Sequence, residues 1–218
     1  MENIIFTIGH STHKGADFIK LLKRYNISLV CDVRSQPYSK YNNQFNRENI
    51  KKVLIENKVD YLFLGEELGA RSKNKSFYDK GKLQYQLLAQ SYLFKKGLEK
   101  LIIKVEKERV VLMCSESDPL NCHRTILICR ELYKRRAFSK NHIQHILSDG
   151  FLNSHTEIEK QLLKKFKLEQ PDMFRSEESL IEEAYHQQEK KIAYTDEKLL
   201  SVLEVPQERD SSSYEENL

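Results

Sequence analysis

Six residues within eleven positions, Cys114, Glu116, Asp118, Cys122, His123 and Arg124, gather two thiols, two carboxylates, an imidazole and a guanidinium. A thiol can serve as a nucleophile once ionised, or as a ligand for a soft metal ion. The segment reads VVLMCSESDPLNCHRTILICREL from Val110 to Leu132. Its apolar opening, Val110 to Met113, has the length and branching of a buried strand. A polar loop follows, Ser115 to Asn121, with Pro119 set against helix continuation. Beyond it Ile126, Leu127, Leu132 and Tyr133 recur at helical spacing. A strand, a polar loop and a helix start suit an anion, because the first helical N–H groups lack partners.

Cys114, at the strand end, is the expected nucleophile, with Arg34, Arg124 and the helix end expected to lower its pKa below the free value of ~8.5. The competing reading is a small buried hydrophobe. The arrangement looks like cysteine phosphatase and rhodanese loops, but nine residues separate Cys114 from Arg124 where phosphatases have five, and no glycine intervenes. His10 or Glu116 is expected to manage protons. Arg34 and Arg124 offer planar forks for an anion, and Asp32 is placed to orient one of them or His10. Ser11, Cys122, His123 and Tyr38 complete the expected binding set. Zinc on Cys114, Cys122 and His123, with His10 or Asp32 as a fourth ligand, is the alternative. Against it, neighbouring side chains on a helix point about 100° apart, and there is no C-x-x-C pair. No cofactor is therefore expected. Tyr38, Tyr41 and Phe45, set among Lys40, Asn43, Gln44 and Asn46, form a loop able to stack single-stranded bases. An exposed loop packing back on its domain would use the same residues.

The elements that must position these groups alternate. Strands are expected at Ile4–Ile8, Ser28–Cys31, Tyr61–Leu64, Val110–Met113 and His142–Leu147. Helices are expected between them: one ending near Asn26, one capped by Asn46, and two spanning roughly 84–91 and 94–106. This alternation predicts an α/β fold, a mainly parallel sheet flanked by helices in a Rossmann-like three-layer sandwich. Ligands in such sheets sit beyond the carboxyl ends of the strands, where His10, Asp32, Arg34, Glu67 and Cys114 all fall. Cys31 and Cys129 lie in apolar runs and read as core. His142 and His145 read as members of a strand edge. The reading divides the chain into an α/β domain over 1–150, a helical C-terminal extension over 151–204, and a disordered acidic tail over 205–218.

Four stretches together, TIGHST, DVRSQPYSKYNNQFN, YLFLGEELG and the Cys-Ser-Glu-x-Asp-Pro-x-x-Cys-His-Arg run, resemble the domain-of-unknown-function 488 (DUF488) family. The resemblance covers roughly residues 4–147, with Ala70 where the family usually shows a second glycine after Leu-Gly. The AYHQQEKKIAY stretch is similar to the tail of some members. The resemblance implies a fold and a site but no reaction.

The net charge of +4 hides a division. Residues 1–150 hold 27 Lys and Arg against 16 Asp and Glu, whereas residues 151–218 hold 9 against 16. A basic body suggests an anionic partner, although solvated helix faces give the same count. Four cysteines and an amino terminus that reads as a strand suggest a reduced, cytoplasmic setting, with no membrane partner. Oligomeric state leaves no mark in the sequence. Together these features predict an enzyme acting on an anionic, nucleotide-like or nucleic-acid substrate, possible reactions being Cys-dependent hydrolysis or transfer. The alternative is a non-catalytic module that binds nucleic acid or a partner in the same basic cleft.

Overall fold

The computed structural model describes residues 3–11, 13–170 and 174–201. In chain order its amino-terminal part forms β1 (Ile5–Gly9), α1 (Gly15–Arg24), β2 (Leu29–Asp32), α2 (Arg47–Glu56), β3 (Asp60–Phe63) and α3 (Gly65–Leu68). The middle adds the small hairpin β4 (Tyr78–Asp79) and β5 (Lys82–Leu83), then α4 (Tyr85–Gln90), α5 (Tyr92–Val105) and β6 (Val110–Cys114). After a π-helical stretch, Arg124–Cys129, come α6 (Arg130–Lys134), β7 (Ile143–Ile146), β8 (Leu152–Ser154), α7 (His155–Phe166), α8 (Glu177–Ile192) and α9 (Glu197–Ser201).

The strands order as β3-β2-β6-β1-β7-β8, parallel throughout except for β8. Every residue of β1, β2 and β6 is buried, as expected for strands covered on both faces. One face, through Phe6, Ile8, Val30, Val111 and Met113, packs on Phe18 and Leu22 of α1 and Ile50 and Leu54 of α2. The other, through Ile5, Cys31, Val110 and Leu112, joins a core with Leu98, Leu101, Ile128, Leu132, Leu162 and Tyr185. This is the three-layer α/β arrangement expected from the sequence, with its carboxyl-terminal helices. Cys31 and Cys129 are both fully buried in this core.

Two local expectations change. Asn46 precedes α2, but its side chain makes no cap; its Oδ1 accepts from Ser39 N at 2.7 Å and so shapes the loop before the helix. His145 is not at a strand edge: β8 pairs antiparallel with β7, which encloses His145 completely. The return strand after Gly150 is too short and polar to announce itself in the sequence.

The extension shares the core of the α/β body. Leu162, Leu163, Leu180, Ala184 and Tyr185 are buried in it. Gln188 Nε2 donates to Leu120 O at 2.7 Å and Asn121 Oδ1 at 3.0 Å, and Arg130 pairs with Glu182. The expected tail over 205–218, and the last residues of the expected extension, 202–204, lie outside the described residues. No helix among the described residues is long and apolar enough to cross a membrane.

A buried hydrogen-bonded chain crosses these layers. Arg124 Nε donates to Thr7 Oγ1 at 3.4 Å, Thr7 bonds His145 Nδ1 at 2.9 Å, and His145 Nε2 bonds His155 Nδ1 at 3.1 Å. His155 Nε2 then meets Tyr185 Oη at 2.9 Å, and Tyr185 donates to Glu159 Oε1 at 3.1 Å, which pairs with Lys140. Because the single hydroxyl proton of Tyr185 goes to Glu159, His155 must donate to Tyr185 and accept from His145. In the neutral rings that burial favours, the proton then sits on Nε2 of each. Burial holds His145 well below its ordinary pKa and brings His155 to about 3.

Candidate functional site

The site begins where β1 and β6 end side by side, with Gly9 opposite Cys114. The ladder continues past both strands: His10 N donates to Cys114 O at 3.0 Å, Ser11 N to Ser115 O at 2.9 Å, and Val33 N to Met113 O at 3.1 Å. A Cβ on Gly9 would lie 1.8 Å from Glu116 O, so only glycine lets the loop cross here. Asp118 closes the loop, accepting from Leu120 N at 2.8 Å and Asn121 Nδ2 at 2.7 Å. Arg124 braces it, with Nη1 donating to Glu116 O at 2.6 Å and Nη2 to Ser117 O at 3.2 Å.

Inside this loop four side chains converge. Glu116 Oε2 lies 3.1 Å from Cys114 Sγ and 3.1 Å from Cys122 Sγ. His123 Nδ1 lies 3.7 Å from Cys114 Sγ and 4.0 Å from Cys122 Sγ, while its Nε2 meets Val33 O at 3.1 Å. The carbonyl can only accept, so Nε2 carries a proton and Nδ1 faces the sulfurs. The objection that adjacent helical side chains diverge does not apply. Cys122 is extended (φ −132°, ψ 138°) and stands before the helical stretch, so its side chain folds back beside that of His123.

Charge is distributed unevenly across this cluster. The hydrogen bond to Cys122, and then burial, push the Cys114 thiol well above its ordinary pKa. Burial also opposes ionisation of Cys122, but the bond from Cys114 and the nearby Arg124 and His123 prevail and hold it well below. Burial disfavours the His123 cation, yet its contact with Cys122 raises the pKa. Desolvation of the Glu116 carboxyl, then the charge of Cys122, raises that pKa too, although Glu116 as a residue is exposed. The nearby Arg124 and His123 thus favour one thiolate within the Cys114–Cys122 pair, which shares it through the hydrogen bond between the two sulfurs.

The arginines are more committed than the sequence suggested. Arg34 clasps Asp32 through Nε–Oδ1 at 2.9 Å and Nη2–Oδ2 at 2.6 Å, and donates to Phe45 O and His10 Nε2, both at 2.9 Å. Asp32 therefore orients Arg34, and it also accepts from Tyr61 Oη at 2.8 Å. Arg124 is fully buried, and its donors go to the loop and Thr7 rather than to a ligand. His10 stacks on Phe45 with ring centroids 4.3 Å apart and stands behind Arg34. Burial and the Arg34 charge lower its pKa to about 4, so it is neutral. Ser11 is exposed on the loop. Tyr38, 58 % exposed, donates to Glu48 Oε1 at 2.9 Å.

Cys114, Glu116 and His123 open onto a pocket of about 190 Å³ that is also lined by Arg34, Gln36, Ala70, Arg71, Tyr85, Ile192 and Tyr194. Arg71 stacks over Tyr194 at 4.5 Å and donates to Gln36 Oε1 at 2.7 Å. A second, larger hollow of about 720 Å³, holding Tyr38, Arg47, Phe63 and Lys73, shares Ser35 and Arg71 with the first.

The family model described as "Domain of unknown function DUF488" matches residues 14–130, more than half of the chain. The chain belongs to the DUF488 family. Comparison with curated proteins and with solved structures found no match. The DUF488 match contains Asp32, Arg34 and the whole Cys114–Arg124 loop, and it stops before the extension that supplies Ile192 and Tyr194 to the pocket. Ala70 puts a methyl group on the pocket wall.

Tyr85, Tyr194 and the Thr7–His145–His155–Tyr185 chain were missed by the sequence reading. Tyr85 and Tyr194 lie far from the motif in sequence; Tyr194 follows α8 and is pinned where Leu83 N donates to its carbonyl at 2.9 Å.

Proposed function

We propose that this DUF488 chain is an enzyme acting on an anionic, nucleotide-like or nucleic-acid substrate held in the 190 Å³ pocket, with Cys114, Cys122, His123 and Glu116 as its reactive centre. One observation carries the reading: the pocket onto which the thiol–imidazole–carboxyl cluster opens has two guanidinium groups, Arg34 and Arg71, on its wall. Arg34 is fixed by Asp32 and keeps one Nη1 hydrogen uncommitted among the described contacts. Arg71 is exposed and aimed by Tyr194 and Gln36. A fixed N–H donor and an adjustable fork suit a phosphate or carboxylate. The basic balance of residues 1–150 would draw such a ligand in.

Incubation with nucleoside phosphates and short single-stranded oligonucleotides, read by mass spectrometry for conversion and by anisotropy for binding, tests this. Conversion of at least one substrate is expected. Cys114→Ser should abolish conversion and leave binding in place, and Arg71→Ala should weaken binding roughly 10-fold, the worth of one charge-assisted hydrogen bond. Binding without conversion, unaffected by Cys114→Ser, would instead identify a non-catalytic module.

A further inference from the structure

We propose that Cys114, Cys122 and His123 form a binding site for one zinc-class divalent metal ion, open toward the pocket, with Glu116 beside the two sulfurs. The inference deepens the functional reading above, because it names the cofactor of that reactive centre. Its geometric basis is convergence. The two sulfurs and His123 Nδ1 all lie within 4.8 Å of one another, and Glu116 Oε2 is 3.1 Å from each sulfur. In a tetrahedral zinc site with metal–ligand distances of about 2.0–2.3 Å, sulfur and nitrogen ligands stand about 3.5 Å apart. The 3.7 and 4.0 Å separations here need only a small contraction.

Three further features point the same way. His123 Nε2 is anchored on Val33 O, which turns the Nδ1 lone pair toward the sulfurs, the usual way a ligating histidine is oriented. The extended backbone at Cys122 lets two sequence neighbours face one point. Cys114, Glu116 and His123 also line the pocket, so an ion among them would keep one side open to a ligand, as catalytic sites do. Two thiolates and an imidazole form a soft to borderline donor set that favours zinc over magnesium or calcium.

A second group, Cys129, His145 and His155, has equally close donor atoms. All three residues are fully buried, however, and the ring nitrogens of both histidines are taken up in the chain from Thr7 to Tyr185. It therefore serves as the internal control.

The test loads the reduced, chelator-stripped full chain with Co²⁺ and follows the thiolate-to-cobalt absorption band, with metal stoichiometry by mass spectrometry. One ion per chain is expected, with a strong band that Zn²⁺ displaces. Cys122→Ser should lose the band while circular dichroism stays native, and Cys129→Ser should retain it. Should Cys122→Ser fail to fold, wild-type protein still decides: bound Zn²⁺ should shield Cys114 and Cys122 from alkylation, mapped by peptide mass. No bound ion, or a band lost in Cys129→Ser and kept in Cys122→Ser, overturns the proposal. Substrate conversion by metal-free protein would leave the functional reading standing as the metal falls. A bound ion with no anion binding would do the reverse.

Discussion

Asp32→Ala is expected to remove about 3–5 kcal/mol of folding stability, the usual effect of deleting one partner of a buried ion pair. Asp32 is fully buried and Arg34 is 6 % exposed, so the guanidinium left behind cannot turn to water. Burial alone pulls the Arg34 pKa down, and the bonds and charge of Asp32 more than offset it. Tyr61 Oη would lose its acceptor as well. Asp32→Asn keeps one of the two oxygen acceptors and should be milder. The double variant Asp32→Ala/Arg34→Met should recover part of the loss, since an apolar pair replaces a buried charged one at little cost. Urea unfolding measures all three. A loss under about 1 kcal/mol for Asp32→Ala would mean that Arg34 is not held as a buried pair, and is as free to grip an anion as the sequence implied.

The second large effect is a loss of stability in acid, centred on His155. Its folded pKa is lowered from 6.5 to about 3, first by burial and then by Lys140. Around it stand His145 from β7, Tyr185 from α8, and Glu159 and Cys129. The folded state keeps the ring neutral, whereas the unfolded chain takes up a proton below about 6.5. Stability from this residue is thus fully present above the unfolded value and is lost as the pH falls toward the folded one. The slope is about 1.4 kcal/mol per pH unit for each such proton. His145 and His10, also lowered, add in the same direction. Glu159 and Glu116, both raised, bind protons first in the folded state and offset part of the loss. His155→Gln should flatten the slope between about pH 6 and 4 by up to one proton's worth. An unchanged slope in that variant would show that the ring is not the neutral, buried link described.

What was legible in the sequence was what short-range pattern encodes. The apolar runs Ile5–Ile8 and Val110–Met113 announced strands, and the motifs at their ends pointed to one edge of the sheet. What was not legible depended on pairing. His145 looked like an edge residue because nothing in Leu152–Ser154 reads as a strand. Arg34 and Arg124 looked like free anion forks because a sequence shows a guanidinium's charge but not where its donors go. Metal ligation by Cys122 and His123 looked strained because the reading began the helix one residue too early. The thiolate shared by Cys114 and Cys122 was likewise hidden, since it depends on a contact across the seven residues of the loop.

The reactive-pocket account is tested most directly by alkylation of reduced, chelator-treated wild-type protein, mapped peptide by peptide, with and without a nucleoside phosphate. The Cys114–Cys122 pair should react faster than Cys31 and Cys129, which burial holds far above the ordinary thiol pKa. The nucleoside phosphate should slow the reaction of Cys114 several-fold, and the neutral nucleoside should not. Labelling of the Cys114–Cys122 pair at the rate of Cys31 and Cys129, indifferent to every anion offered, would contradict the account.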